Sequence, residues 1–338
     1  MPQPTPAHTR HPLHPRFAWL EITGFCNLRC RHCYAGSSPQ GSHGTMTDAD
    51  WLRVLGELAG LGVRDVQFIG GEPTLHPGLP GYIDRALEEG MAVEVFSNMT
   101  HIRPRLWDAL RRDGVRLAFS YYSDDPAAHD AVTGAGGAHA RTRANIRRAR
   151  ELGVPLRGNV VELPAPPAHA EGGRRDLLEL GIREVGTDRV RPYGRGAAEA
   201  GRAGADGAEA GRASGAGDGA GRAARAPECG GLCGRCGHGR LAVLPDGRVT
   251  PCVFARWLTL GNVREQGLPE ICAGAATRRA RDELAAHFPA PADNTTPVCL
   301  PDCGPAATVK KDKKDKDKDP AEQERDREPG RGVPAGHP

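Results

Sequence analysis

Between Phe17 and Val190 the chain alternates short apolar runs with amphipathic stretches, and this alternation restricts the possible folds more than any other feature. The runs Phe17–Thr23, Asp65–Ile69, Ala92–Phe96, Arg116–Phe119, Pro155–Val161 and Arg183–Val190 read as strands. Five helices separate them. The first starts at Thr47, a capping residue, with Asp50 in its first turn and Trp51, Leu55, Leu58 and Leu61 at helical spacing. The others are Leu79–Glu89, Arg105–Arg112, Ala140–Leu152 and Arg174–Leu180, and Gly90, Gly114, Gly153 and Gly181 stand where each gives way to a strand. Each helical crossover returns the chain in the same direction, so six strands imply an α/β fold with a parallel sheet. Ligands of such sheets gather at the carboxyl ends of the strands, and site residues are expected there.

That edge is rich in chemistry. Directly after the first strand comes Cys26-Asn-Leu-Arg-Cys30-Arg-His-Cys33. Three thiolates this close can wrap one inorganic centre in a single loop, and no fourth cysteine lies nearby to close a tetrahedral zinc or iron–sulfur site. Directly after the second strand comes Gly70-Gly71-Glu72-Pro73, whose glycines let a ligand approach the backbone. Strand three ends in Ser97-Asn98 and strand four in Ser120, followed by Tyr121 and Tyr122. Arg157 and Asn159 lie on strand five, where inward polar side chains would meet ligand, and Arg191, just past strand six, can pair with a carboxylate.

The cysteine spacing after strand one, joined to Gly70–Pro73 after strand two, resembles the radical S-adenosylmethionine (radical SAM) superfamily. The resemblance implies a partial (β/α)6 TIM-like barrel over 17–195. It implies a [4Fe–4S] cluster on Cys26, Cys30 and Cys33, with SAM chelating the open iron. His32 holds the position before the third cysteine, where phenylalanine or tyrosine is more usual. The Gly70–Pro73 backbone and Glu72 would receive the SAM amino group, and Ser97, Asn98 and Ser120 would hydrogen-bond its ribose or carboxylate. Val190–Gly196, with Arg191, resembles the end-of-barrel segment that packs on adenine. The stretch Asp124–Gly134 with Thr142 resembles peptide-modifying members; its His129-Asp130 pair reads as a local hydrogen-bonded turn.

A second cysteine group follows a low-complexity spacer. Cys229, Cys233 and Cys236 precede a hairpin pattern, Arg240–Leu244, Pro245-Asp246-Gly247 and a short return strand to Cys252. A thiolate at each end of a hairpin can clasp one cluster. The run Cys236, Gly247, Cys252, then Leu260–Val263 and Leu268–Ile271, is similar to the SPASM/twitch extension, over 227–306. With Cys299 and Cys303 downstream, at least one auxiliary [4Fe–4S] cluster is expected; zinc on the Cys233/Cys236 pair is the rival. Cys272 reads as a buried apolar residue in a helix.

Residues 1–16 are expected to be a flexible arm, and 196–226 and 307–338 a disordered linker and a charged tail, since none buries enough apolar surface. A net charge of +3 gives no case for nucleic acid, and no stretch approaches a membrane span. Ten cysteines in metal-like spacings without a secretion signal suit a reducing cytoplasm. The resemblance implies a reducing partner such as flavodoxin or ferredoxin and a ribosomally made peptide as substrate. A small sugar or nucleoside is the alternative, and a non-catalytic iron–sulfur or zinc scaffold a remoter one. The short arm before Phe17 is expected to leave no room for a leader-recognition domain.

Overall fold

The computed structural model describes residues 12–163, 168–199, 231–233 and 236–288. Six strands, β1 (Phe17–Thr23), β2 (Asp65–Gly70), β3 (Ala92–Ser97), β4 (Val115–Tyr121), β5 (Leu156–Glu162) and β6 (Glu184–Arg189), lie parallel in sequential order. The helices between them are α1 (Asp48–Gly60), α2 (Leu79–Glu88), α3 (Leu106–Leu110), α4 (Pro126–Thr133), α5 (Ala138–Glu151) and α6 (Ala168–Glu179). The sheet does not close by hydrogen bonds between β6 and β1, so this is the expected open barrel. Its local signals are sound. Thr47 and Asp50 form a reciprocal capping box at the start of α1, with bonds of 3.2 and 2.9 Å.

The far edge of β1 is covered by an element from the other end of the chain. A hairpin, β7 (Arg240–Val243) and β8 (Arg248–Thr250), followed by the short β9 (Gly261–Asn262), continues the sheet. β7 runs parallel to β1, with Phe17 opposite Arg240 and Leu20 opposite Val243. This satisfies a row of backbone groups that an open barrel would leave at an edge. It also buries every residue of β1 on both faces, including Glu21, whose carboxylate meets Arg256 at 2.7 Å. Helices α7 (Leu268–Ala273) and α8 (Ala275–His287) complete the described fold.

Three expectations are corrected. The stretch 124–134 is a helix, α4, started by Pro126 behind an Asp125 cap. The flexible arm expected over 1–16 does not extend through Leu13, which is buried and whose N–H donates to the Cys272 carbonyl at 3.0 Å. Residues 196–199 are helical, and buried Glu199 pairs with Arg31 at 3.5 Å, so the linker cannot start at 196. The rest of the expected linker and all of the charged tail lie outside the described residues.

Candidate active site: a three-thiol rim over the parallel sheet

Cys26, Cys30 and Cys33 line one cleft at the carboxyl ends of the strands. His32, Gly70, Gly71, Ser97, Asn98, Ser120 and Arg191 line it too. Burial is the main cause that pushes the Cys26 thiol up to about 12 and Cys30 higher still. Such thiols stay protonated until a metal displaces the proton, which is how a metal-ready site behaves. The Tyr122 hydroxyl hydrogen-bonds Cys30, and the Cys26 sulfur accepts from the Leu28 N–H at 3.4 Å.

The cysteine loop rests on α4. The last carbonyls of that helix, Val132 and Thr133, accept from the N–H groups of Arg31 and Arg29 at 3.0 and 3.1 Å. Helix-end carbonyls lack partners within their own helix, so α4 ends by holding the loop. Its His129 is not half of a catalytic pair: the ring is buried among Tyr121, Tyr122 and His139. Asp130 instead accepts from the Gly137 and His139 N–H groups, the second at 2.9 Å, and so starts α5.

The two glycines after β2 serve a closer neighbour than a ligand. A Cβ on Gly70, where φ is +144°, would stand 2.2 Å from the Thr23 carbonyl, and one on Gly71 would stand 2.1 Å from that of Phe25. The N–H groups of Gly71 and Glu72 donate to those same carbonyls at 2.7 and 2.9 Å. The turn is therefore zipped onto the residues just before Cys26. No donor among the described residues meets the Gly71 carbonyl, which lies at the cleft.

Glu72 and Pro73 do not line the cleft. The buried Glu72 carboxylate accepts from Thr74 (N–H 3.1 Å, hydroxyl 2.7 Å) and from the Asn98 N–H at 2.7 Å. Burial raises its pKa and these bonds oppose the rise. The Asn98 side chain donates to Asn27 at 2.9 Å and accepts from the Thr100 N–H at 2.9 Å, while its carbonyl accepts from Thr142 at 3.1 Å. Ser97 accepts from the Met99 N–H at 2.9 Å. Met99 is held at φ +58°, a conformation uncommon for a long side chain, directly after two cleft residues.

Arg157 and Tyr121 lie away from the cleft. Arg157 grips Glu94 with two bonds, 2.7 and 3.2 Å, one layer beneath the floor, where Arg116 and Gln67 join the same carboxylate. A buried cation needs such a partner. Asn159 is buried beside it. Tyr121 points to α5 and α6, bonded to His139 and Asp176. Tyr122 does line the cleft, edge-on to His32 with ring centres 5.1 Å apart. Burial lowers the pKa of His32 to about 4, so the ring facing the cleft is neutral at pH 7.

Arg191 does find a carboxylate, Asp188 at 2.8 Å, and its guanidinium lies 5.1 Å from the centre of the Phe254 ring. Sequence reasoning missed Asp188, which ends β6, lines the cleft and has a pKa raised to about 6 by burial. Behind Arg191 and Phe254 a second, smaller pocket is lined by Cys233, Cys236 and Cys252, with Trp19 and Arg240. The hairpin brings the Cys236 and Cys252 sulfurs to 3.1 Å. Hydrogen bonds with Cys233 and Cys252 push the Cys236 thiol up. Cys272 is buried in α7, outside that lining. Cys229, Cys299 and Cys303 lie outside the described residues.

The fold is an open α/β barrel with a three-cysteine loop after its first strand, and thiol donors of this kind suit an iron–sulfur cluster. Residues 20–180 match the radical SAM superfamily model, and residues 233–304 match SPASM, an iron-sulfur cluster-binding domain. It is 31% identical over 148 residues to a PqqA peptide cyclase of Rhodopseudomonas palustris, covering 44% of this chain and 39% of that protein. It is 27% identical over 187 residues to the subtilosin biosynthesis protein AlbA of Bacillus subtilis, covering 55% of this chain and 41% of that protein. The chain thus spans about two fifths of the length of these relatives. The fold is similar to that of Streptococcus suis SuiB bound to S-adenosylmethionine, with a TM-score of 0.61 at 15% identity, over 80% of this chain and 68% of that one. The superfamily's cofactors are a [4Fe–4S] cluster and SAM in the barrel, with iron–sulfur binding in the C-terminal part. No helix among the described residues is long and apolar enough to cross a membrane.

Proposed function

We propose that the chain cleaves SAM reductively at the Cys26–Cys33 rim and uses the radical so formed to modify a ribosomally made peptide. The observation that carries the reading is the meeting of Cys26, Cys30, Cys33, Gly71, Asn98 and Ser120 on one cleft. When bound, the cluster and SAM supply the electron and the hydrogen-abstracting group; the hard chemistry is the cofactor's.

What the chain does is hold and exclude. Cys26, Cys30 and Cys33 would hold the cluster. The Gly71 carbonyl would accept from the SAM amino group, and Ser97, Asn98 and Ser120 would serve its ribose and carboxylate. Glu72 acts one step back, by fixing the Asn98 backbone. Phe96, Tyr122, Val161 and Phe254 give the cleft an apolar wall that keeps water from a reactive radical. Cys233, Cys236 and Cys252 would hold an auxiliary cluster, one wall of Arg191 and Phe254 away from the cleft.

The peptide substrate is supported by relatives that act in peptide maturation by name, the PqqA peptide cyclase and the subtilosin biosynthesis protein. A low-potential donor such as flavodoxin or ferredoxin is the reducing partner, and a reducing, cytoplasmic setting suits the free thiols. Anaerobic loading with iron and sulfide, then assay for 5′-deoxyadenosine with SAM and a strong reductant, tests the reading. Product is expected from the wild-type chain and none from Cys30→Ala; equal product from both would sink it.

A further inference from the structure

The segment that follows β6 is built against the cysteine loop, through one side chain above all. Arg195 donates from Nε to the Cys30 carbonyl at 2.8 Å, from Nη1 to Gly36 at 2.8 Å and from Nη2 to Ser37 at 2.7 Å. Its own N–H donates to the Cys33 carbonyl at 3.0 Å. The fit on either side is tight. A Cβ on Gly194, where φ is +54°, would stand 2.3 Å from the Tyr34 carbonyl, and one on Gly196 would stand 2.9 Å from that of His32.

The loop from Cys30 to Ser37 is a chain of turns with no strand or helix of its own. Within the loop only the Cys30 and Cys33 carbonyls meet N–H groups, each at 3.3 Å, and one planar fork serves three carbonyls across eight residues. A lysine in its place would carry the charge, but a single ammonium at the end of a flexible stem does not reproduce three fixed, diverging N–H directions. The neighbouring residues tie the same segment to the second thiol site: Tyr193 stacks on Phe254 and lies against Trp257.

We propose that Arg195 is a positioning residue for the iron-binding loop: its guanidinium sets the shape in which Cys30 and Cys33 are presented and supplies a fixed cation beside the centre. The first half concerns the metal-free chain; the second rests on the function proposed above. Reducing a thiolate-bound cluster adds negative charge, so a nearby cation favours the reduced form. Arg195→Met removes the three side-chain bonds and the charge while leaving the bond from its N–H. Arg195→Lys keeps the charge and loses the fork.

Hydrogen exchange on the full-length, metal-free protein tests the shape. Amides of residues 30–37 should exchange about tenfold faster or more in both variants, with residues 240–250 unchanged as an internal control. An EPR-monitored redox titration of the reconstituted protein, following the signal that changes on adding SAM, tests the charge. Arg195→Met should be harder to reduce than wild type, with Arg195→Lys close to wild type. Wild-type exchange in Arg195→Met overturns the proposal. So does a titration in which the Arg195→Met cluster is reduced as easily as the wild-type one. A wild-type chain that binds no SAM-responsive cluster would instead defeat the proposed function, and the exchange result would still decide the loop's shape.

Discussion

The Glu72 carboxylate accepts the Asn98 backbone N–H at 2.7 Å, which ties the turn after β2 to the end of β3. Its other oxygen serves Thr74 twice. Glu72→Ala leaves these buried donors unpaired and should cost about 2–3 kcal/mol of stability by chemical denaturation. Glu72→Gln keeps the shape but weakens the bonds; its SAM affinity, measured by calorimetry, should fall by about tenfold. Unchanged SAM binding in Glu72→Gln would mean that the tie does not set the Asn98 position.

Beneath the cleft floor, Glu94 balances both Arg157 and Arg116. Glu94→Ala strands a buried guanidinium and should destabilise the fold by about 3–5 kcal/mol. Arg157→Met with Glu94→Ala removes both charges together, and the double variant should recover much of that loss. Denaturation midpoints across the cycle would show it; strict additivity would argue against the pairing.

Asp188 gives stability a pH dependence of known sign. Its folded pKa is raised to about 6 from 3.8, so between those values the folded chain keeps a proton that the unfolded chain has lost. Stability from this group therefore falls as pH rises through the window and levels off above it. The drop should be about 3 kcal/mol at most, and Asp188→Asn should remove it. Denaturation midpoints at pH 4.5, 5.5 and 7 are the check, read as the difference between wild type and variant.

The two thiol sites should fail separately. Cys30→Ala should abolish 5′-deoxyadenosine formation yet retain iron at the second site. Cys252→Ala should lose that second iron and still cleave SAM. Iron and sulfide content measured beside the product assay decides this; loss of both centres in either variant would contradict two independent sites.

Much of this was legible in the sequence because it depends on local chemistry. Thr47 caps because its hydroxyl reaches Asp50 within one turn, and the cysteine spacing carries its meaning within eight residues. Helix α4 was not legible: Pro126–Thr133 is short and mostly alanine and polar residues, and its carbonyls are needed by a loop a hundred residues earlier. Arg157 was misplaced because strand alternation sets the face of a residue but not its depth. Glu94, which holds it, is on another strand. Arg195 gave no sign at all, since nothing in a sequence says which carbonyls a guanidinium will reach.

The pairing of β7 with β1 has a consequence for how the molecule is made. Strand β1 waits for a neighbour that is synthesised more than two hundred residues later. Until then β1 offers a bare, hydrophobic edge, and contacts this distant in sequence close slowly. The nascent barrel is thus exposed to aggregation over that interval. A chain cut before Arg240 would keep that exposed edge for good, however complete its SAM site.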